Sequence, residues 1–305
     1  MQSLLEKGVS DNFHWTSKGK TASYIPELSN VRPSQLGVCI TNNEGDSFCG
    51  GDFYEPFTLQ SVAKPFILLQ ALLDNGENEV FKKVGMEPSG DTFNSLVRLE
   101  ITNPNKPYNP MINAGAFVTY SLVKGPSYED RFMRILKLIK GLTGNSRLIF
   151  NNAVYESERL TGDRNRSIAY LMKSSGIIPG NVEELVDAYF KTSSISVNCK
   201  DISIAALVLA NHGVCPFSNE KIVPHRYTQI VNAIMSTCGL YDESGEFAVN
   251  VGLPSKSGVS GAIMSVVPNR MGIGVFSPAL NEKGNSYAGI KLLETLNSNL
   301  SLNIY

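Results

Sequence analysis

The sequence predicts an α/β fold of the α+β kind: an antiparallel sheet flanked by helices, interrupted by an inserted all-helical domain. Three observations predict it. β-type residues alternate near both ends of the 305-residue chain. Between them lies a long stretch whose apolar residues recur at helical spacing. The last segment, "SYAGIKLLETLNS", is again an amphipathic helix.

From Gln35 to Asp52, "QLGVCITNNEGDSFCGGD" alternates around the turn "NNEG" and reads as a β-hairpin. From Phe66 the pattern turns helical. "FILLQALLDNG", "NAGAFVTYSLVKG", "YEDRFMRILKLIKGLTG", "RNRSIAYLMKSSG", "VEELVDAYF" and "DISIAALVLANHG" carry apolar residues near a 3.6 period, and most end in Gly. Near Glu246 the texture reverts: "EFAVNVGLP", "SGVSGAIMSVVP" and "MGIGVFSPA" read as three strands before the last helix. Because the strands are split between the chain ends, residues 1–67 and 226–305 are expected to form a discontinuous sheet domain and residues 68–225 the inserted helical domain. A site is expected at their junction. The irregular segment "EITNPNKPYNPMINAG", residues 100–115, is too long for a simple turn and reads as a functional loop.

The 27 basic and 28 acidic residues nearly cancel. No global field draws nucleic acid or an anionic membrane, so small molecules and further copies of the chain are the expected partners. The N-terminus lacks a basic segment leading into an apolar one, and the longest apolar stretch, Ile202–Ala210, is too short to span a bilayer. A soluble, cytoplasmic protein is the expectation. Five scattered cysteines without a CxxC pair suggest neither zinc nor redox work. Cys39 and Cys49 could face each other across the hairpin, but buried free thiols in a reducing compartment fit the set better. His14, His212 and His225 show no metal-ligand spacing.

Four SxxK tetrapeptides occur, beginning at Ser17, Ser61, Ser121 and Ser218. Only Ser61 and Lys64 open a strongly apolar helix, where positions i and i+3 share a face and unsatisfied backbone N–H groups favour developing negative charge. The plainer alternative is that Ser61 is an N-cap. A distal "LPSKSGVSGAI" places Lys256, Ser257 and Gly258 at the head of a strand, the only Lys-[Ser/Thr]-Gly in the chain. This order, SxxK helix then K-[ST]-G strand, is that of serine β-lactamases and penicillin-binding proteins. A second ammonium beside Lys64 would make each harder to protonate, leaving Lys64 free to take the Ser61 proton.

The combination "FTLQSVAK", "NPMINAGA", "SERLTGDRNRSIAY", "DAYFKTSSISV" and "CGLYDESGEFAVNVGLPSKSGVSG" closely resembles the serine-dependent glutaminase family, whose fold is β-lactamase-like. The resemblance runs over essentially the whole chain. It implies hydrolysis of L-glutamine to L-glutamate and ammonia without metal or cofactor, and assembly as a homodimer or homotetramer. It implies Ser61 as nucleophile, Lys64 as its base and Tyr241 as proton shuttle. Substrate contacts would fall on Tyr24, Ser61, Asn113, Glu158, Asn165, Tyr189, Tyr241 and Val259. Pro65 and Tyr108 depart from the usual pattern without removing a functional group. The residue types agree with this reading, since desolvating an ammonium and a carboxylate requires at least one charged partner and several neutral donors. Two alternatives fit the sequence less well. A β-lactamase or penicillin-binding carboxypeptidase would call for an export signal and a clear Ser-Asp-Asn motif. A non-catalytic module would have no use for the serine, both lysines and Tyr241.

Overall fold

Strands from the two ends of the chain meet in one sheet. The computed structural model describes residues 1–89 and 106–305; positions 100–105 of the irregular loop lie outside the described residues. Strands β1 (Gly37–Asn42), β2 (Ser47–Gly51), β5 (Ser255–Ser257), β6 (Ala262–Val267) and β7 (Met271–Phe276) form an antiparallel sheet in the order β2-β1-β7-β6-β5. Two short strands, β3 (Phe57–Thr58) and β4 (Ser196–Val197), pair separately beside it. The β1–β2 turn is built by Asn42, whose Oδ1 accepts from the amides of Glu44 and Asp46, and by Gly45 at φ +90°.

Both faces of the sheet are buried, so its residues alternate between two cores. Val38, Ile40, Ile263, Ile273 and Val275 face helices α1 (Gln2–Asn12) and α11 (Tyr287–Leu300), represented by Leu5, Leu292 and Leu296. Cys39, Met264, Val266 and Phe276 face the main helical core. There α8 (Cys199–Ala210) lies directly on the sheet. Glycines make that approach possible: a Cβ at Gly272 would stand 2.1 Å from the Ser203 carbonyl oxygen, and one at Gly274 2.2 Å from that of Cys199. The central helix of the remaining block is α2 (Ala63–Asn75), buried from Ala63 to Leu72. Around it stand α3 (Asn113–Leu122), α4 (Tyr128–Thr143), α5 (Asn152–Thr161), α6 (Asp163–Ser174), α7 (Val182–Ser193) and α9 (His225–Cys238). Pro65 is the third residue of α2, where a missing N–H breaks no intrahelical bond.

Three features differ from the sequence expectations. "EFAVNVGLP" reads as a strand but contributes helix α10 (Ser244–Asn250), because the residues it buries, Phe247 and Val251, are four apart while Val249 is 78% exposed. The third C-terminal strand is instead Ser255–Ser257. Helices α1, α5 and α9 are additions to the expected set. Cys39 and Cys49, expected as free thiols, form a disulfide: the register sets them directly opposite one another, with Cα atoms 4.1 Å apart. Cys199, Cys215 and Cys238 are free and buried, as expected. Among the described residues no helix is long and apolar enough to cross a membrane.

Candidate active site

Ser61 lies in a single 3-10 turn, Gln60–Val62, that runs into α2. Gln60 takes φ +46°, a left-handed conformation unusual for a side chain of its size. That turn presents Ser61, while Lys64, in the first turn of α2, is fully buried. Lys64 Nζ stands 3.1 Å from Ser61 Oγ and 2.6 Å from Asn113 Oδ1. Asn113, first residue of α3, donates in turn to Asn165 Oδ1 on α6 at 2.8 Å. Its helix start is held by Asn109, whose Oδ1 accepts from the amides of Met111 and Ile112. Gly115 allows the Asn109 carbonyl to come in close; a Cβ there would sit 1.9 Å from it.

These residues open onto a cavity of about 290 Å³, lined by Tyr24, Gln60, Ser61, Asn113, Glu158, Asn165, Tyr189 and Val259 among others. Helices supply Asn113, Glu158, Asn165 and Tyr189; the sheet side supplies Val259, just past β5. Tyr24 forms the rim and is half exposed; its phenol is raised by desolvation and by its neighbours Tyr241 and Glu158. Glycine again sets the spacing where β5 meets the serine turn. A Cβ at Gly258 would lie 2.8 Å from the Leu59 carbonyl oxygen and 3.4 Å from the Ser61 amide nitrogen.

Burial governs the charges in the site. Desolvation lowers the Lys64 ammonium to about 7, with the Glu158 carboxylate opposing it. Desolvation also raises Glu158 to about 8, against the Gln60 hydrogen bond and Lys64. Glu158 is 4% exposed, and its Oε2 has no hydrogen-bond partner among the described residues. An unpaired carboxylate oxygen facing a cavity is a receptor for a cationic donor. Burial pushes the Tyr241 phenol up to about 12, opposed by its polar neighbours Ser61 and Ser257. Tyr189 is likewise raised by burial.

Lys256 is fully buried, donates at 2.7 Å to the carbonyls of Gly239 and Ser257, and sits 4.3 Å from the centre of the Tyr241 ring. It is lowered well below the usual lysine range, first by burial and then by Lys64. The sequence reading makes Lys256 the group that keeps Lys64 neutral. The structure gives burial as the leading cause at Lys64.

The sequence reading missed Gln60, which lines the cavity, opposes the rise at Glu158 and is 3% exposed. It also missed Ser193, which lines the same cavity beside Tyr189. The only signal for Gln60 is its place beside the serine; its left-handed backbone is invisible in the residue type. Among the described residues no three histidine, cysteine or acidic side chains converge as a metal site. A larger concavity of about 730 Å³, between α4, α8 and the loop at Phe217, contains none of the expected catalytic or substrate-binding residues. What the small cavity offers is a serine hydroxyl beside a weakly basic buried amine, a carboxylate awaiting a cation, and neutral donors between them.

Residues 19–305 match the family described as Glutaminase. The chain is 52% identical to the glutaminase of Clostridium tetani over all of both chains. It is 50% identical to that of Clostridioides difficile, covering all of this chain and 98% of the other. Among solved structures it is similar to the covalent complex formed when a Bacillus subtilis glutaminase reacts with 6-diazo-5-oxo-L-norleucine. That likeness has a TM-score of 0.92 at 33% identity and covers 100% of this chain and 99% of that one.

Proposed function

The chain belongs to the glutaminase family and hydrolyses the side-chain amide of L-glutamine to L-glutamate and ammonia; we propose that it does so through an acyl-enzyme on Ser61. The observation that carries this mechanism is the Ser61 Oγ–Lys64 Nζ contact of 3.1 Å at a lysine that burial has lowered to about 7. At neutral pH much of Lys64 is an uncharged amine, able to accept the serine proton as Oγ attacks the amide carbon. The amides of Ser61 and Val259 hold the oxyanion, consistent with the close approach of Gly258 to the serine turn. Collapse expels ammonia. Tyr241, whose phenol is influenced by Ser61, passes a proton to the leaving nitrogen and recovers one from Lys64. Water, activated by Lys64, then releases glutamate and restores the serine.

Glu158 receives the substrate ammonium on its unpartnered oxygen, with Gln60, Asn113, Asn165, Tyr24 and Tyr189 fixing the rest of the amino-acid end. Lys256 anchors the Tyr241 turn. The test is covalent labelling. Incubation with 6-diazo-5-oxo-L-norleucine followed by peptide mass spectrometry should place one 5-oxonorleucyl adduct on Ser61, and Ser61→Ala should lose both the adduct and at least a thousandfold in kcat while remaining folded. An adduct elsewhere, or activity within tenfold of the parent, overturns the nucleophile assignment.

A further inference from the structure

Asn285 stands outside the cavity and belongs to no motif of the sequence, yet it is completely buried and uses each of its side-chain hydrogen-bonding groups. Its Oδ1 accepts from Ser257 Oγ at 2.6 Å. Its Nδ2 donates to the Leu240 carbonyl at 3.2 Å and to Glu243 Oε2 at 2.6 Å. These partners bracket Tyr241: Leu240 precedes it, Glu243 follows two residues later, and Ser257 is the strand residue whose carbonyl the Tyr241 hydroxyl faces at 3.5 Å. Asn281 locks the clamp from outside. It donates to both Glu243 oxygens at 3.1 and 2.9 Å, and its Oδ1 accepts from the Asn285 amide.

Tyr241 needs such a clamp. It has φ +56°, a left-handed conformation that is strained for a bulky residue and persists only where the surroundings impose it. The same side chain fixes Ser257, the neighbour in β5 of Lys256, which touches the Tyr241 ring and holds the Gly239 carbonyl. The geometry points to Asn285 as a positioning residue for the reaction: it fastens the Leu240–Glu243 turn to β5, and so sets the Tyr241 hydroxyl against Ser61. It touches no substrate and acts through Tyr241, so the inference rests on the proton-transfer role proposed for that tyrosine.

The test is a double-mutant cycle between Asn285→Ala and Tyr241→Phe, with kcat, KM and melting temperature measured for all four proteins at least 15 °C below the lowest melting point. Asn285→Asp, which keeps the shape but removes the N–H donors, replaces the alanine variant if that does not fold. The expected result is a kcat at least thirtyfold lower for the Asn285 variant, with KM within threefold. In the Tyr241→Phe background the same substitution should lower kcat less than threefold, because there is no hydroxyl left to position. A kcat within threefold of the parent despite a lowered melting temperature makes Asn285 merely structural and overturns the proposal. So does an equal fold-loss in both backgrounds. If Tyr241→Phe alone keeps full activity, the proton-transfer role of Tyr241 fails instead.

Discussion

At the scale of single residues the site rests on two groups that burial drives in opposite directions. Lys64 lies near 7 and Glu158 near 8, and each is productive in its deprotonated form. A lysine lowered from the usual range is neutral above its shifted value; a carboxyl raised from the usual range is charged above its own. Both requirements are therefore met as pH rises, and kcat/KM should climb through pH 7 to 8 with a limiting acid slope of two. The two groups feel each other, so the limb reports the pair. Glu158→Gln removes one titration and the anion that favours the Lys64 ammonium. The slope should fall to one and the remaining limb move to lower pH, in a stopped assay of ammonia release from pH 5 to 9. A slope that stays at two removes Glu158 from the limb. The same variant should lose about 2–5 kcal/mol in kcat/KM, the range for breaking a desolvated charge pair. It should also lose most of the parent's preference for glutamine over glutamine acylated at the α-nitrogen. Unchanged preference would place ammonium recognition on another group.

At the scale of elements, glycines set how closely strands and helices approach, and one of these approaches is chemical. Strand β5 ends beside the serine turn because Gly258 has no side chain; an added Cβ would meet the Leu59 carbonyl at 2.8 Å and the Val62 side chain at 3.3 Å. Neither the carbonyl nor the turn can yield without moving Ser61 relative to the Val259 amide. Displacements on this scale cost about a hundredfold in rate. Gly258→Ala should accordingly lower kcat by about that factor. Gly245→Ala, where nothing lies within 4 Å of the new carbon, should stay within twofold. Steady-state kinetics of the two variants side by side decides it, and equal activities would mean that the β5 approach is irrelevant to the oxyanion.

At the scale of the whole molecule, the two chain ends share one core behind the catalytic sheet. Leu5 of α1 is completely buried among Ile40, Val275 and Leu292, and the backbone beside it comes within 3.3 Å of where a Cβ on Gly50 of β2 would stand. The helix covers residues of the edge strand β2 and packs on α11, so the first dozen residues are part of the structure that supports the site. Leu5→Ala should cost about 2–5 kcal/mol of unfolding free energy, measured by urea titration followed by circular dichroism. Residual activity should disappear over the same denaturant range. A loss below about 1 kcal/mol would show that α1 contributes little to the core.

The fold class, the helical block between two groups of strands, and the Ser61–Lys64 and Lys256–Ser257–Gly258 motifs are legible in the residues alone. Those signals are local: period, turn residues and short spacings survive in one dimension. Long-range matters were decided only in three dimensions. "EFAVNVGLP" alternates like a strand, yet it folds as helix where Phe247 and Val251 find a core to fill. The hairpin sequence leaves a Cys39–Cys49 pairing open; the register, which sets the two directly opposite, decides it. The low value at Lys64 comes from the dry interior formed when α2 is enclosed by the helices around it, and no neighbouring residue in the chain encodes it. Gln60 and Asn285 were illegible for the same reason. A glutamine or asparagine is recognisable as part of a site only when folding has buried its amide and supplied the partners that its own segment lacks.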